Sequence, residues 1–98
     1  MAEPVSGFGM AWYRREDYDR LLSIFEDADN LPTTYDKWLA SAEKGLKHLK
    51  GQGIFTVKVI IDPDQFPGWC SANGYKINSD ARKRFASIEA VRQFRESS

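Results

Sequence analysis

The strongest hydrophobic pattern in the chain runs from Thr33 to Ile61. Tyr35, Trp38, Leu39, Ala42, Leu46 and Leu49 recur at the spacing that gathers side chains on one side of an α-helix. After Gly51-Gln52-Gly53 the period changes. Ile54 to Ile61 is dense in β-branched residues and sets Phe55, Val57, Val59 and Ile61 on one face of a strand, with Thr56, Lys58 and Ile60 on the other. The more polar second face predicts a strand covered on one side only.

Upstream, Phe8 to Tyr13 alternates large and small side chains and predicts a first strand. Its Gly9 and Ala11 face would let a helix backbone approach closely. Tyr18, Leu21, Leu22 and Phe25 then predict a helix from about Arg15 to Asp27, which Leu31-Pro32 stops. Thr33 or Thr34 caps the second helix, and Gly45 inside that helix, about 1 kcal/mol worse than alanine, calls for a close neighbour. Beyond the second strand, Asp62-Pro63-Asp64 reads as a turn with Asp64 as the N-cap of a third helix. Pro67 would then sit at the third helical position, where its missing N–H has no partner to lose. Phe66, Trp69 and Cys70 share a face, and Asn73-Gly74 ends the segment with a residue suited to a left-handed cap. Asn78 or Ser79 opens a last helix with a predicted apolar stripe of Ala81, Phe85, Ile88 and Val91, and Phe94 near its edge.

The resulting order, β-α-α-β-α-α, predicts an α+β domain over residues 8–95, with a two-stranded sheet packed against four helices and residues 1–7 as a mobile lead-in. Two helices in succession between the strands reverse the chain twice, so an antiparallel sheet is expected. Two strands are marginally stable alone, and their open edges are candidate surfaces for pairing with a second copy.

Composition narrows the function classes. The 98 residues carry 14 basic and 14 acidic side chains, a balance that argues against a strongly electrostatic nucleic-acid binder. The charges are unevenly spread, with 4 basic and 8 acidic residues up to position 40 and 10 basic and 6 acidic after it. Intramolecular pairing is the plain account, and self-complementary association is the sharper one. Cys70 is the single cysteine and cannot form an internal disulfide. With no signal-like start and no apolar run long enough to span a bilayer, the expected setting is cytoplasmic and away from membranes.

No cofactor or metal is expected. Glu26, Asp27, Asp29 and Asn30 lack the ligand spacing and terminal glutamate of a calcium loop. Gly51-Gln52-Gly53 precedes a strand, whereas a phosphate loop follows one. A nucleophilic pair of Cys70 with His48 would need contact that spacing does not supply. His48 reads as a partner of the helix dipole and Cys70 as a small buried hydrophobe.

Two sets of residues remain as candidate sites. Trp12, Tyr13, Arg14 and Arg15 place two aromatics and two guanidinium groups at a strand-to-helix junction, a composition suited to interfaces and anionic ligands, with Asp62 and Trp69 as possible companions. Arg82, Lys83, Arg84, Arg92 and Arg95 crowd the last helix and suggest a weak nucleic-acid surface, diluted by Glu89 and Glu96. The leading expectation is a non-enzymatic protein-interaction module that forms a homodimer or binds another protein. A small-molecule or anion site around Trp12 and Arg14 is the first alternative, and nucleic-acid binding through the last helix is the second.

Ala11-Trp12-Tyr13-Arg14, Trp38 with Ala42-Glu43, Val59 to Asp62, Trp69-Cys70, Gly74 and Ala81-Arg82 with Phe85 together resemble a group of small bacterial proteins with no assigned function. The resemblance spans Gly9 to Phe85, and Pro67-Gly68 departs from the unbroken helix that the group has around Trp69. It implies a free-standing cytoplasmic bacterial protein and carries no activity with it.

Overall fold

The computed structural model describes the backbone of residues 7–97 and the side chains of residues 8–93. The expected lead-in, apart from Gly7, therefore lies outside the described residues, as do the side chains of Phe94, Arg95 and Glu96. Two strands and four α-helices follow in the order β1 (Gly7–Trp12), α1 (Tyr18–Ile24), α2 (Tyr35–Gly51), β2 (Phe55–Ile60), α3 (Phe66–Asn73) and α4 (Ser79–Ser97). Single 3-10 turns at Arg15–Asp17 and Ala28–Asn30 flank α1, which is shorter than the predicted helix.

The strands pair in parallel, not antiparallel, in a register that sets Gly9 beside Val57 and Trp12 beside Ile60. Counting reversals failed because α1 does not run back along the sheet. It stays at the carboxyl end of β1, where Tyr18, Leu21 and Phe25 are buried and Tyr13 lies against the rings of Tyr18 and Phe25. Only α2 makes the return. Trp38, in its first turns, meets the Trp12 ring edge-on at 5.1 Å, and Gly45, farther on, faces the Met10 methyl. One helix of 17 residues, about 25 Å long, is enough for the crossover that parallel strands require.

Local signals set most boundaries. Thr34 Oγ1 accepts the Lys37 N–H at 3.3 Å and caps α2. The third helix begins later than Asp64 implied: Asp62 Oδ1 accepts the Asp64 N–H at 2.8 Å, its carbonyl accepts the Gln65 and Phe66 N–H groups, and Gln65 is the N-cap. Pro67 is thereby the second helical residue, still within the turn that tolerates it. Gly74, at φ 74°, ends α3 in the left-handed region. Asn78 Oδ1 accepts the Ala81 N–H at 3.1 Å at the start of α4.

The helix α4 lies across the Gly9 and Ala11 face of the sheet. A β-carbon built on Gly9 would lie 2.2 Å from the carbonyl oxygen of Ala86 and 2.9 Å from the Ala90 methyl, so helix backbone and strand backbone are in direct contact. This close seat corrects the predicted stripe. Ala81 is buried and Phe85 packs on Phe66 and Trp69 as the stripe requires, but Ala86 and Ala90, buried with Val59, take the places given to Ile88 and Val91, which are each 53% exposed. On the opposite face α2 covers Met10 and Trp12, and Lys58 and Ile60 of β2 stay exposed. No helix among the described residues is long and apolar enough to cross a membrane.

The contact at Gly9 has a direct test. Gly9→Ala is expected to lower stability by about 1–3 kcal/mol, since the helix must lift or the strand must bend. Gly68, on α3 with open space around it, serves as the contrast: Gly68→Ala is expected to raise stability by about 0.4–1 kcal/mol. Urea unfolding of the two variants checks both signs.

Candidate functional site

Parallel pairing brings the carboxyl ends of both strands together, and with them Arg14 and Asp62. In an antiparallel sheet these two would lie at opposite ends. Arg14 Nη2 is 4.0 Å from Asp62 Oδ2, and its Nε donates to Asp17 Oδ2 at 2.8 Å. Arg15 pairs with Asp36 at 2.7 Å and its guanidinium lies 4.6 Å from the Tyr35 ring centre. Arg20 pairs with Asp64. The end of the sheet where open α/β folds gather ligand groups is thus a surface lattice of arginines already matched by aspartates. Exposed pairs of this kind are screened by water and contribute little to stability.

Beneath the lattice the aromatic side chains close the site. Trp12 and Tyr13, placed by sequence among ligand-binding residues, are 7% and 3% exposed. Tyr13 lies 4.6 Å from Trp38, and its carbonyl accepts the Tyr35 hydroxyl at 3.0 Å. Trp69 belongs to a different part of the core. It stacks on Phe66 at 6.0 Å and meets Phe85 edge-on at 5.1 Å, while Trp12 packs with Trp38. Arg14, Arg15 and Asp62 are therefore brought near one another at the surface, Trp12 and Tyr13 lie under them, and Trp69 contributes to packing around α3. Cys70 is buried, which pushes its thiol pKa up, whereas His48 is exposed.

The residues proposed for nucleic acid also divide. Arg82 is 5% exposed and faces inward: Nη1 and Nη2 donate to the two carboxylate oxygens of Asp27 at 2.8 and 2.9 Å, with the guanidinium 4.3 Å from the Phe25 ring centre. Lys83, Arg84 and Arg92 are exposed. Arg84 pairs with Asp80 at 2.9 Å and Arg92 with Glu89 at 3.3 Å. No sequence signal linked Asp27 to Arg82, because 55 residues separate them and each sits in an ordinary charged context. Among the described residues no group of three or more His, Cys, Asp or Glu side chains is arranged to hold a metal ion.

Two other surfaces have a distinct character. A hollow of about 480 Å³ on the outer side of α4 is lined, among the described residues, by Ser87, Ile88, Val91 and Arg92. A second, of about 400 Å³, lies between α2 and β2 and is lined by Leu46, Lys50, Ile54, Phe55, Thr56 and Lys58. The ion pairs sharpen the contrast between cations. Every ion pair among the described residues uses an arginine and none uses a lysine.

Comparisons with protein-family models, with curated proteins and with solved structures find no match to this chain.

The buried pair and the tyrosine beside it make stability depend on pH in two windows. The Arg82 hydrogen bonds hold the Asp27 carboxyl below the usual carboxylate range. Its contribution is complete above the unfolded-state value of about 3.9 and is lost as pH falls through the depressed value. Asp27→Asn is expected to cost about 3 kcal/mol near neutrality by leaving Arg82 buried without its countercharge, and the gap to the native protein should close on acidification. Adding Arg82→Met should recover most of the loss. At the alkaline end, burial, opposed by the nearby Arg82 charge, pushes Tyr13 up to about 12 from 10.0. Stability should fall as pH rises through that interval, and Tyr13→Phe should remove that part of the fall. Denaturant midpoints across the pH range read all of these variants.

Proposed function

We propose that this protein acts without catalysis, by binding protein surfaces, and that its first partner is a second copy of itself. The supporting observation is the outer face of α4. A helix with Ala86 and Ala90 at 0% and 4% exposure and Ile88 and Val91 at 53% turns two branched apolar side chains to solvent while its alanines and Phe85 pack inward. Covering Ile88 and Val91 releases the water ordered on them, and the burial of apolar area favours association.

The geometry suits a two-fold arrangement. Ile88 and Val91 are neighbours on one helix face, so an antiparallel crossing of two α4 helices sets Ile88 of one copy against Val91 of the other. A stable interface buries about 800 Å² on each partner, more than these two residues supply. Phe55, 60% exposed, lies on the sheet face that α4 crosses, and α4 runs toward that end of the strands, from Arg82 near Phe25 to Ala90 over Gly9. It is the natural extension of the apolar surface.

Size-exclusion chromatography with light scattering tests this reading. The native protein is expected to run as a dimer that high salt leaves intact. Ile88→Asp and Val91→Asp should each give a monomer with unchanged far-ultraviolet circular dichroism, as both positions are exposed in the single chain. A monomeric native protein at high concentration, or a dimer indifferent to both substitutions, would refute it.

A further inference from the structure

The hollow between α2 and β2 differs from the α4 face in carrying charge as well as apolar surface. Leu46, Ile54 and Phe55 supply apolar lining, and Lys50 and Lys58 stand beside them. It continues into a neighbouring hollow of about 510 Å³ along α2, which shares Leu46 and Lys50 and adds Lys44 and Lys47, with Glu43 as the one carboxylate among the lining residues. Among the described residues none of these four lysines meets a carboxylate within ion-pair distance, although the six arginines in the described ion pairs all do. Lys58 instead lies 4.3 Å from the Trp12 ring centre, which holds its ammonium beside the strand.

The backbone offers a second element of recognition. Just past β2 the Ile61 N–H donates to the Trp12 carbonyl at 2.9 Å. Because the direction of backbone groups alternates along a strand, the N–H and C=O groups of Thr56, Lys58 and Ile60 face away from β1. The sheet has only two strands, so this edge has no strand partner among the described residues.

We propose that the groove between α2 and β2 is a docking site for an acidic, extended peptide segment, which adds to β2 as a third strand. Main-chain bonds to the edge of Thr56, Lys58 and Ile60 give the segment its register. Its carboxylates, on the face toward α2, meet Lys44, Lys47, Lys50 and Lys58, and its alternate apolar side chains fall on the other face of the sheet, beside Val57. The same edge rejects a second copy of this chain: two-fold pairing of β2 with itself runs the strands antiparallel and brings the two Lys58 ammonium groups near each other, an arrangement that destabilises a sheet. An edge lysine is also the usual guard against such self-pairing. Nucleic acid would use the lysines and leave the strand edge idle. The two proposed surfaces share Phe55, but this site uses neither Ile88 nor Val91, so loss of the dimer through those residues leaves it intact.

The test uses a fluorescein-labelled peptide that alternates glutamate and valine, followed by fluorescence anisotropy on the full chain. Saturable binding is expected, weakened roughly tenfold by Lys47→Glu or by Lys58→Glu and unchanged by Ile88→Asp. A version with prolines in place of the valines keeps the charge but cannot pair as a strand, and it should bind at least tenfold more weakly. Amide resonances of Thr56, Lys58 and Ile60 should shift on titration with the first peptide. Absence of saturable binding overturns the proposal. So does equal affinity for the proline version, or an equally tight complex with labelled oligothymidylate, since either would reduce the lysines to a general anion surface.

Discussion

The contact between the Gly9 backbone and the Ala86 carbonyl decides how the molecule is assembled. At this distance no side chain fits between strand and helix, so the strand must present glycine and the helix must present its smallest residues. Ala86 and Ala90 meet that demand. The orientation of α4 about its own axis follows, and it turns Ile88 and Val91 outward. A wider spacing would let the helix roll its larger side chains onto Val57 and Val59. The apolar outer face of α4 and the tight inner seam therefore have one steric cause.

That orientation also delivers Arg82 into the interior, where it meets Asp27 and covers the Phe25 ring. A buried bidentate pair stabilises less than its Coulomb attraction suggests, because both ions lose water. Its geometric effect is firmer. It ties the first turn of α4 to the segment after α1, two parts of the chain that share no strand, and it closes the aromatic core at the carboxyl end of the sheet. Above that core the remaining charges pair at the surface, Arg14 with Asp17 and Asp62, Arg15 with Asp36 and Arg20 with Asp64. These positions attract attention as a ligand site when read one by one. Together they tie the loop after β1 to the loop after β2.

With the arginines of the described ion pairs matched by carboxylates of the same chain, the lysines carry the charge available to partners. Lysine heads are strongly hydrated and sit on flexible stems, so they remain in water where arginine forks lock onto carboxylates. The lysines beside the β2 edge and the aliphatic residues on the outer face of α4 are two separate surfaces of different chemistry on one small domain. One is suited to a charged strand and the other to a like apolar helix face.

The order of elements, most caps and the closeness implied by Gly9 and Ala11 were legible along the chain, because each rests on residues near in sequence. Thr34, Asn78, Pro67 and Gly74 act through bonds and torsions that reach only a few positions away. Strand direction was not legible. It depended on α1 staying at the end of the sheet, a packing choice set by Tyr18, Leu21 and Phe25 against partners elsewhere in the chain. The second half of the buried face of α4 was misread for a similar reason: Ala81 and Phe85 face the core as expected, but past them periodicity weighs side chains by size while the strand beneath selected for smallness. The pairing of Asp27 with Arg82 and the meeting of Arg14 with Asp62 joined residues that no local pattern connects. Short-range stereochemistry belonged to the sequence alone; direction, face and charge partnership came only with the tertiary structure, because each is decided by which distant surfaces fit together.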